Sequence, residues 1–144
     1  KERKEYFSQF NYEDLEKQRI NSPEYQAKME ELNNIATTKK ASNGLTYKMA
    51  SDIVVEVRKK YITNNTSMKK LSETMEESIK YYESLIGAYE NGTAYTTSDN
   101  NGKNINYYTS LLEGMKMDLP RVKQAEVAME ELETLYPNLN EWSG

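Results

Sequence analysis

The chain has neither cysteine nor histidine among its 144 residues. Disulfides, thiolate nucleophiles and imidazole acid–base chemistry are therefore excluded, as are the usual protein ligands of zinc, haem and iron–sulfur clusters. Zero cysteine suits a reducing cytosol and equally a cysteine-poor exported protein, so it does not fix the compartment. Arginine is confined to Arg3, Arg19, Arg58 and Arg121, and lysines alternate with carboxylates to leave a net charge of −4. With no basic stripe, nucleic acid is not expected as a partner. No apolar run approaches the roughly 18 residues of a membrane-spanning helix. No stretch shows the period-two alternation of a strand.

What remains is a polar, strongly periodic chain. Hydrophobic residues make up 37% and charged residues 29%, which suits a thin helical bundle whose helices each keep one face wet. The regular spacing of the apolar residues argues against disorder. The fold class expected is all-α: an elongated antiparallel bundle of three long helices plus a looser N-terminal helix, in a single domain spanning residues 1–144.

A first helix is predicted over about 3–20, with Tyr6, Phe7, Phe10 and Leu15 as its apolar contacts. Asn21-Ser22-Pro23 punctuates it, Ser22 being able to cap a helix that opens on Pro23. Tyr25, Met29, Leu32 and Ala36, then Thr46, Ala50, Ile53, Val57 and Tyr61, keep a 4-3 spacing across residues 39–45. That register predicts one continuous helix over 23–63, with a break at Asn43-Gly44 as the alternative, because this dipeptide normally marks a turn. A third helix is expected over 67–90, capped by Ser67, and a fourth over 104–136. Asp118-Leu119-Pro120 marks a kink in the fourth, or a fresh start capped by Asp118. Residues 91–103 form the long loop, and Leu139 and Trp142 belong to a tail that folds back. The third and fourth helices should lie antiparallel. Each carries a second apolar flank (Tyr81, Leu85, Ala88; Tyr107, Leu111, Gly114), which calls for a further neighbour, most simply the second helix.

Candidate chemistry is sparse. Asp99-Asn100-Asn101-Gly102 fails as a calcium loop, since Thr97 and Tyr108 stand where ligands belong. Glu126, Glu130, Glu131 and Glu133 lack the histidines of a di-iron bundle and are read as a solvated face. No catalytic residue, metal site or cofactor is expected. The 12 tyrosines, against two phenylalanines, are the conspicuous excess. Tyr81, Tyr95 and Tyr107 fall off the main stripes or in the loop and form the candidate partner-binding set, while Tyr47 is another off-stripe ring. Methionines are read as core filler. Gly114 suits close helix approach, and Gly87 has no evident role.

The function expected is a non-enzymatic binding module, the extracytoplasmic soluble part of a bacterial lipoprotein or receptor. Lys1 in place of an initiator Met fits a mature or trimmed product of that kind. Its partner would be another protein or a surface polymer. The alternative is an intracellular (cytoplasmic) assembly or adaptor protein of phage or plasmid origin, acting through coiled-coil or homo-oligomer contacts.

Overall fold

The computed structural model describes residues 13–62, 69–92 and 101–143 and, of 101–104, the backbone alone. Its elements are α1 (13–21), α2 (Pro23–Thr38), α3 (Tyr47–Tyr61), α4 (Leu71–Glu90), α5 (Asn101–Leu135) and a 3-10 turn, Leu139–Glu141. The class is all-α. Among the described residues the nearest thing to a strand is an isolated bridge between Lys40 and Thr46.

Residues 13–21 are exposed throughout, Leu15 and Ile20 included, so this part of the first helix is loosely attached. Tyr6, Phe7 and Phe10 lie outside the described residues. The junction with α2 follows the expected chemistry: the Ser22 side chain accepts from the Tyr25 N–H at 3.2 Å, with Pro23 at the first helical position.

The expected continuous helix over 23–63 is not formed. It breaks between Thr38 and Tyr47 because Lys39 turns extended, Gly44 takes φ +88°, and Thr46 caps a new helix by accepting from the Met49 N–H at 3.1 Å. The turn is tied down at both ends of its Asn-Gly step. The Ala41 N–H donates to the Leu45 carbonyl at 2.8 Å, and Asn43 Nδ2 donates to the Gln124 carbonyl at 2.9 Å. The 4-3 register survives because Leu32, Ala36, Ala50 and Val57 are all buried, although they belong to two helices.

Helix α5 is the spine, with α3 and α4 packed along it. At 1.5 Å per residue its 35 residues span about 52 Å. Both α3 and α4 run antiparallel to it. For α3, Tyr47 pairs with Glu133 and Tyr61 with Asp118; for α4, Ser72 pairs with Glu126 and Glu83 with Lys116. Consecutive helices α3 and α4 are thus parallel to each other, and α4 begins level with Glu126, whereas α3 ends level with Asp118. Helix α4 opens at Leu71, later than expected, with Lys70 at its N-cap; Ser67 lies outside the described residues. The fourth helix already runs at Asn101, inside the expected loop, of which 93–100 are outside the described residues.

Pro120 neither ends nor restarts α5. A proline inside a helix costs about 3 kcal/mol through its missing N–H and ring clash. Burial on both sides offsets it, through Met115 before and Val122, Ala125 and Ala128 after.

Two core clusters sit along the spine. One joins Leu32 and Ala36 of α2, Tyr47 and Ala50 of α3, Ala125, Ala128 and Leu132 of α5, and Leu139 of the tail. The other joins Val57, Leu71, Met75, Ile79, Leu112, Met115 and Val122. The tail folds back as expected: Leu139 is fully buried, and Trp142 meets the Tyr47 ring edge-on at 5.9 Å while donating to Asn33 Oδ1 at 3.3 Å. Tyr47, read from sequence as off-stripe, is a core residue, because helix α3 starts on it and turns it toward the tail. Methionines divide: Met75 and Met115 are buried, whereas Met49 and Met117 are exposed.

Two glycine substitutions should move stability in opposite directions in urea and thermal denaturation. Gly44→Ala places a Cβ on a left-handed residue and should cost about 1 kcal/mol. Gly87→Ala meets nothing within 4 Å and should stabilise α4 by up to about 1 kcal/mol.

Candidate functional site

Three of the four carboxylates read as a solvated face, Glu126, Glu131 and Glu133, are structural clamps, whereas Glu130 does face solvent. Glu126 receives the Ser72 N–H at 3.0 Å and the Ser72 hydroxyl at 2.5 Å. Because Lys70 makes no side-chain cap, this carboxylate from the neighbouring helix serves as the anionic cap of α4. Glu131 does the same for the 39–46 turn, receiving the Ser42 N–H at 2.6 Å and the Ser42 hydroxyl. The Ser42 hydroxyl first, then its N–H, hold the Glu131 carboxyl below its ordinary value. Glu133 accepts from Tyr47, whose phenol is pushed up by burial and then by that hydrogen bond. Glu130 pairs loosely with Lys70 at 3.6 Å.

Asp118 is the most elaborate of these clamps and is only 7% exposed. It receives Tyr61 Oη at 2.6 Å and Lys60 Nζ at 3.1 Å on one oxygen, and Arg121 at 3.0 Å on the other. Burial alone would raise this carboxyl, but the three donors outweigh it and hold it below the ordinary carboxylate value. Burial raises the Tyr61 phenol, and its bond to Asp118 raises it further. A proton held this way is poorly placed to leave, so the Asp–Tyr–Lys set fastens α3 to α5 and is badly suited to acid–base work. Gly114 makes room for it: a Cβ there would lie 2.7 Å from the Tyr61 hydroxyl oxygen. What approaches Gly114 is thus the tip of the Tyr61 side chain rather than the backbone of a neighbouring helix.

A groove of about 750 Å3 lies along α3, with Tyr47, Val55, Met129 and Trp142 among its lining residues. Of its lining lysines, Lys48 pairs with Asp52 at 2.8 Å and Lys60 with Asp118 at 3.1 Å. Among the described residues no set of three or more acidic side chains converges as a metal site would require.

Two of the three candidate tyrosines are brought together. Tyr82 of α4 and Tyr108 of α5 stack with centroids 5.3 Å apart and planes at 22°. Tyr81 meets Tyr82 edge-on at 5.2 Å, and Tyr107 meets Tyr108 edge-on at 5.4 Å. The result is a four-ring ladder across α4 and α5, with half-buried inner rings and outer rings 62% and 63% exposed. Tyr95 lies outside the described residues. Sequence reasoning found the outer rings by their place on the second flank. It missed the clamps, because a glutamate facing solvent and one reaching a neighbouring N–H look alike in a one-dimensional pattern.

Removing the α4 cap with Glu126→Ala should cost about 1–2 kcal/mol in urea denaturation, and Ser72→Ala should add little on top of it. Asp118→Asn should cost about 2 kcal/mol at neutral pH. Since the folded carboxyl lies below its ordinary value of 3.8, its contribution is complete above that pH and is lost as pH falls through the folded value. The acid limb of the stability–pH curve should therefore be shallower in Asp118→Asn than in the native chain.

Comparison with protein-family models, with curated proteins and with solved structures returns no match.

Proposed function

We propose that the chain is a non-enzymatic helical binding module that engages another protein through the face carrying Tyr81 and Tyr107. The ladder is the observation that carries this reading. Its inner rings are fixed by stacking, and they hold the outer rings in place while leaving most of their surface to solvent. Preset aromatic rings offer contact area at low entropic cost, which is what a recognition surface needs. The chemistry elsewhere supports the same reading, since Asp118, Glu126, Glu131 and Glu133 spend their oxygens on holding the fold. No described helix is long and apolar enough to cross a membrane. An extracytoplasmic setting, secreted or anchored through an upstream segment, goes with a surface-binding role. Fractionation of the native host would test that part separately.

The binding reading is tested by selecting displayed amphipathic peptides against the native chain and re-measuring the hits on Tyr81→Ser/Tyr107→Ser. The variant should keep its helical circular dichroism and lose binding at least about tenfold, as removal of aromatic anchors does. Peptides that bind the variant as tightly as the native chain, or a selection with no enrichment, would sink the proposal.

A further inference from the structure

The chain has three Asn-Gly steps: Asn43-Gly44, Asn91-Gly92 and Asn101-Gly102. Such a step carries a reaction of its own. The glycine backbone nitrogen, giving up its proton to water, attacks the asparagine side-chain Cγ, and the new C–N bond closes a five-membered succinimide. The Cγ–Nδ2 bond breaks, and ammonia leaves with a proton taken back from water. A further water then opens the ring at either carbonyl, leaving aspartate or isoaspartate. Glycine permits the attack because it has no Cβ to crowd the approach.

Two of the steps are matched in backbone. Gly44 and Gly92 both take positive φ, +88° and +69°, and each donates its N–H to a carbonyl three residues earlier, Ala41 at 2.9 Å and Tyr89 at 3.2 Å. Both asparagines are exposed, so water reaches either one. They differ in what holds the side chain. Asn43 is tied at both ends of its amide: Nδ2 donates to the Gln124 carbonyl at 2.9 Å, and Oδ1 accepts from the Leu45 N–H at 3.2 Å. Among the described residues none bonds to the Asn91 side chain. For the Gly44 nitrogen to reach Asn43 Cγ, the side chain must turn back over its own backbone and give up both bonds. The turn that carries it is fixed in its place by Ser42 on Glu131.

We infer that Asn43-Gly44 is a latent deamidation site, silenced by the docking of the 39–46 turn on α5 and released when that turn lifts away. Conversion then blocks the return. An aspartate at position 43 sets a carboxylate against the Gln124 carbonyl, acceptor facing acceptor, beside the Ser42 contact with Glu131. Isoaspartate also lengthens the turn by a backbone carbon. Because this turn joins α2 to α3, a chain that has opened there and reacted keeps a permanent mark of it.

Incubation of the full chain at mildly alkaline pH, followed by peptide mapping by mass spectrometry, reads both steps in one sample. With two side-chain hydrogen bonds to break, each worth roughly a factor of five, Asn43 should convert roughly 25-fold more slowly than Asn91 in the folded chain. In urea the two rates should come together. Glu131→Ala, which frees Ser42, should speed conversion at Asn43 by about fivefold and leave Asn91 unchanged. Asn43→Asp, as a mimic of the product, should lower the urea midpoint, and Asn91→Asp should barely move it. Equal rates at the two steps in the folded chain, or a gap that persists in urea, overturns the inference. So does an Asn43 rate indifferent to Glu131→Ala, and an Asn43→Asp chain of native stability overturns the blocked return.

Discussion

The carboxylates of α5 reach sideways into the ends of other elements, and the rest of the fold is organised around that reach. Glu126 supplies the anion for the N-terminus of α4, Glu131 grips the turn between α2 and α3, and Asp118 takes the C-terminal end of α3. Helix ends and turns are where backbone N–H groups lack partners. A spine with acidic side chains at those levels fixes where each neighbour begins or stops, while apolar contacts at Val122, Ala125 and Leu132 hold them on. Apolar packing alone would leave the neighbours free to slide by a turn, since one heptad position resembles the next. The bidentate grip on Ser72 and the two donors that α3 brings to Asp118, Lys60 and Tyr61, remove that freedom.

The helical class, the antiparallel pairing of α4 with α5, the Ser22-Pro23 boundary and the folded-back tail were all legible in the sequence. They follow from periodicity, capping chemistry and the direct succession of helices along the chain, which act locally. The break at Asn43-Gly44 was legible only as an alternative. The apolar register happens to pass through it intact, and periodicity cannot distinguish one helix from two that face the same core. What decided the matter is tertiary: Asn43 and Ser42 find partners on α5 at Gln124 and Glu131. Asp118 was misread for a related reason. An aspartate two residues before a proline is a good cap by local rules, yet here Lys60 and Tyr61 of another helix claim it.

Of the candidate site, the exposed tyrosines were visible because exposure follows from position on a helix face. The stacking of Tyr82 on Tyr108 was not, since it depends on the relative level of two helices. That level is set by Glu126 on Ser72, far along the spine from the rings it aligns. Clamp and ladder are thus mechanically linked: the acidic side of α5 determines which aromatic residues of α4 and α5 come level.

The order of elements along the chain has a consequence for biosynthesis. Synthesis releases α3 and α4 before the helix on which both pack, and α2 before the tail it meets, so for most of translation the faces of α3 and α4 that belong on α5 have no partner. Parallel α3 and α4 do not make a hairpin that could shelter them meanwhile. Assembly must await α5 and then proceed in one concerted docking, in contrast to chains that fold vectorially from the N-terminus as they emerge. A composition with 29% charged residues and 37% hydrophobic ones is what such a late-folding chain requires to stay clear of aggregation in the interval.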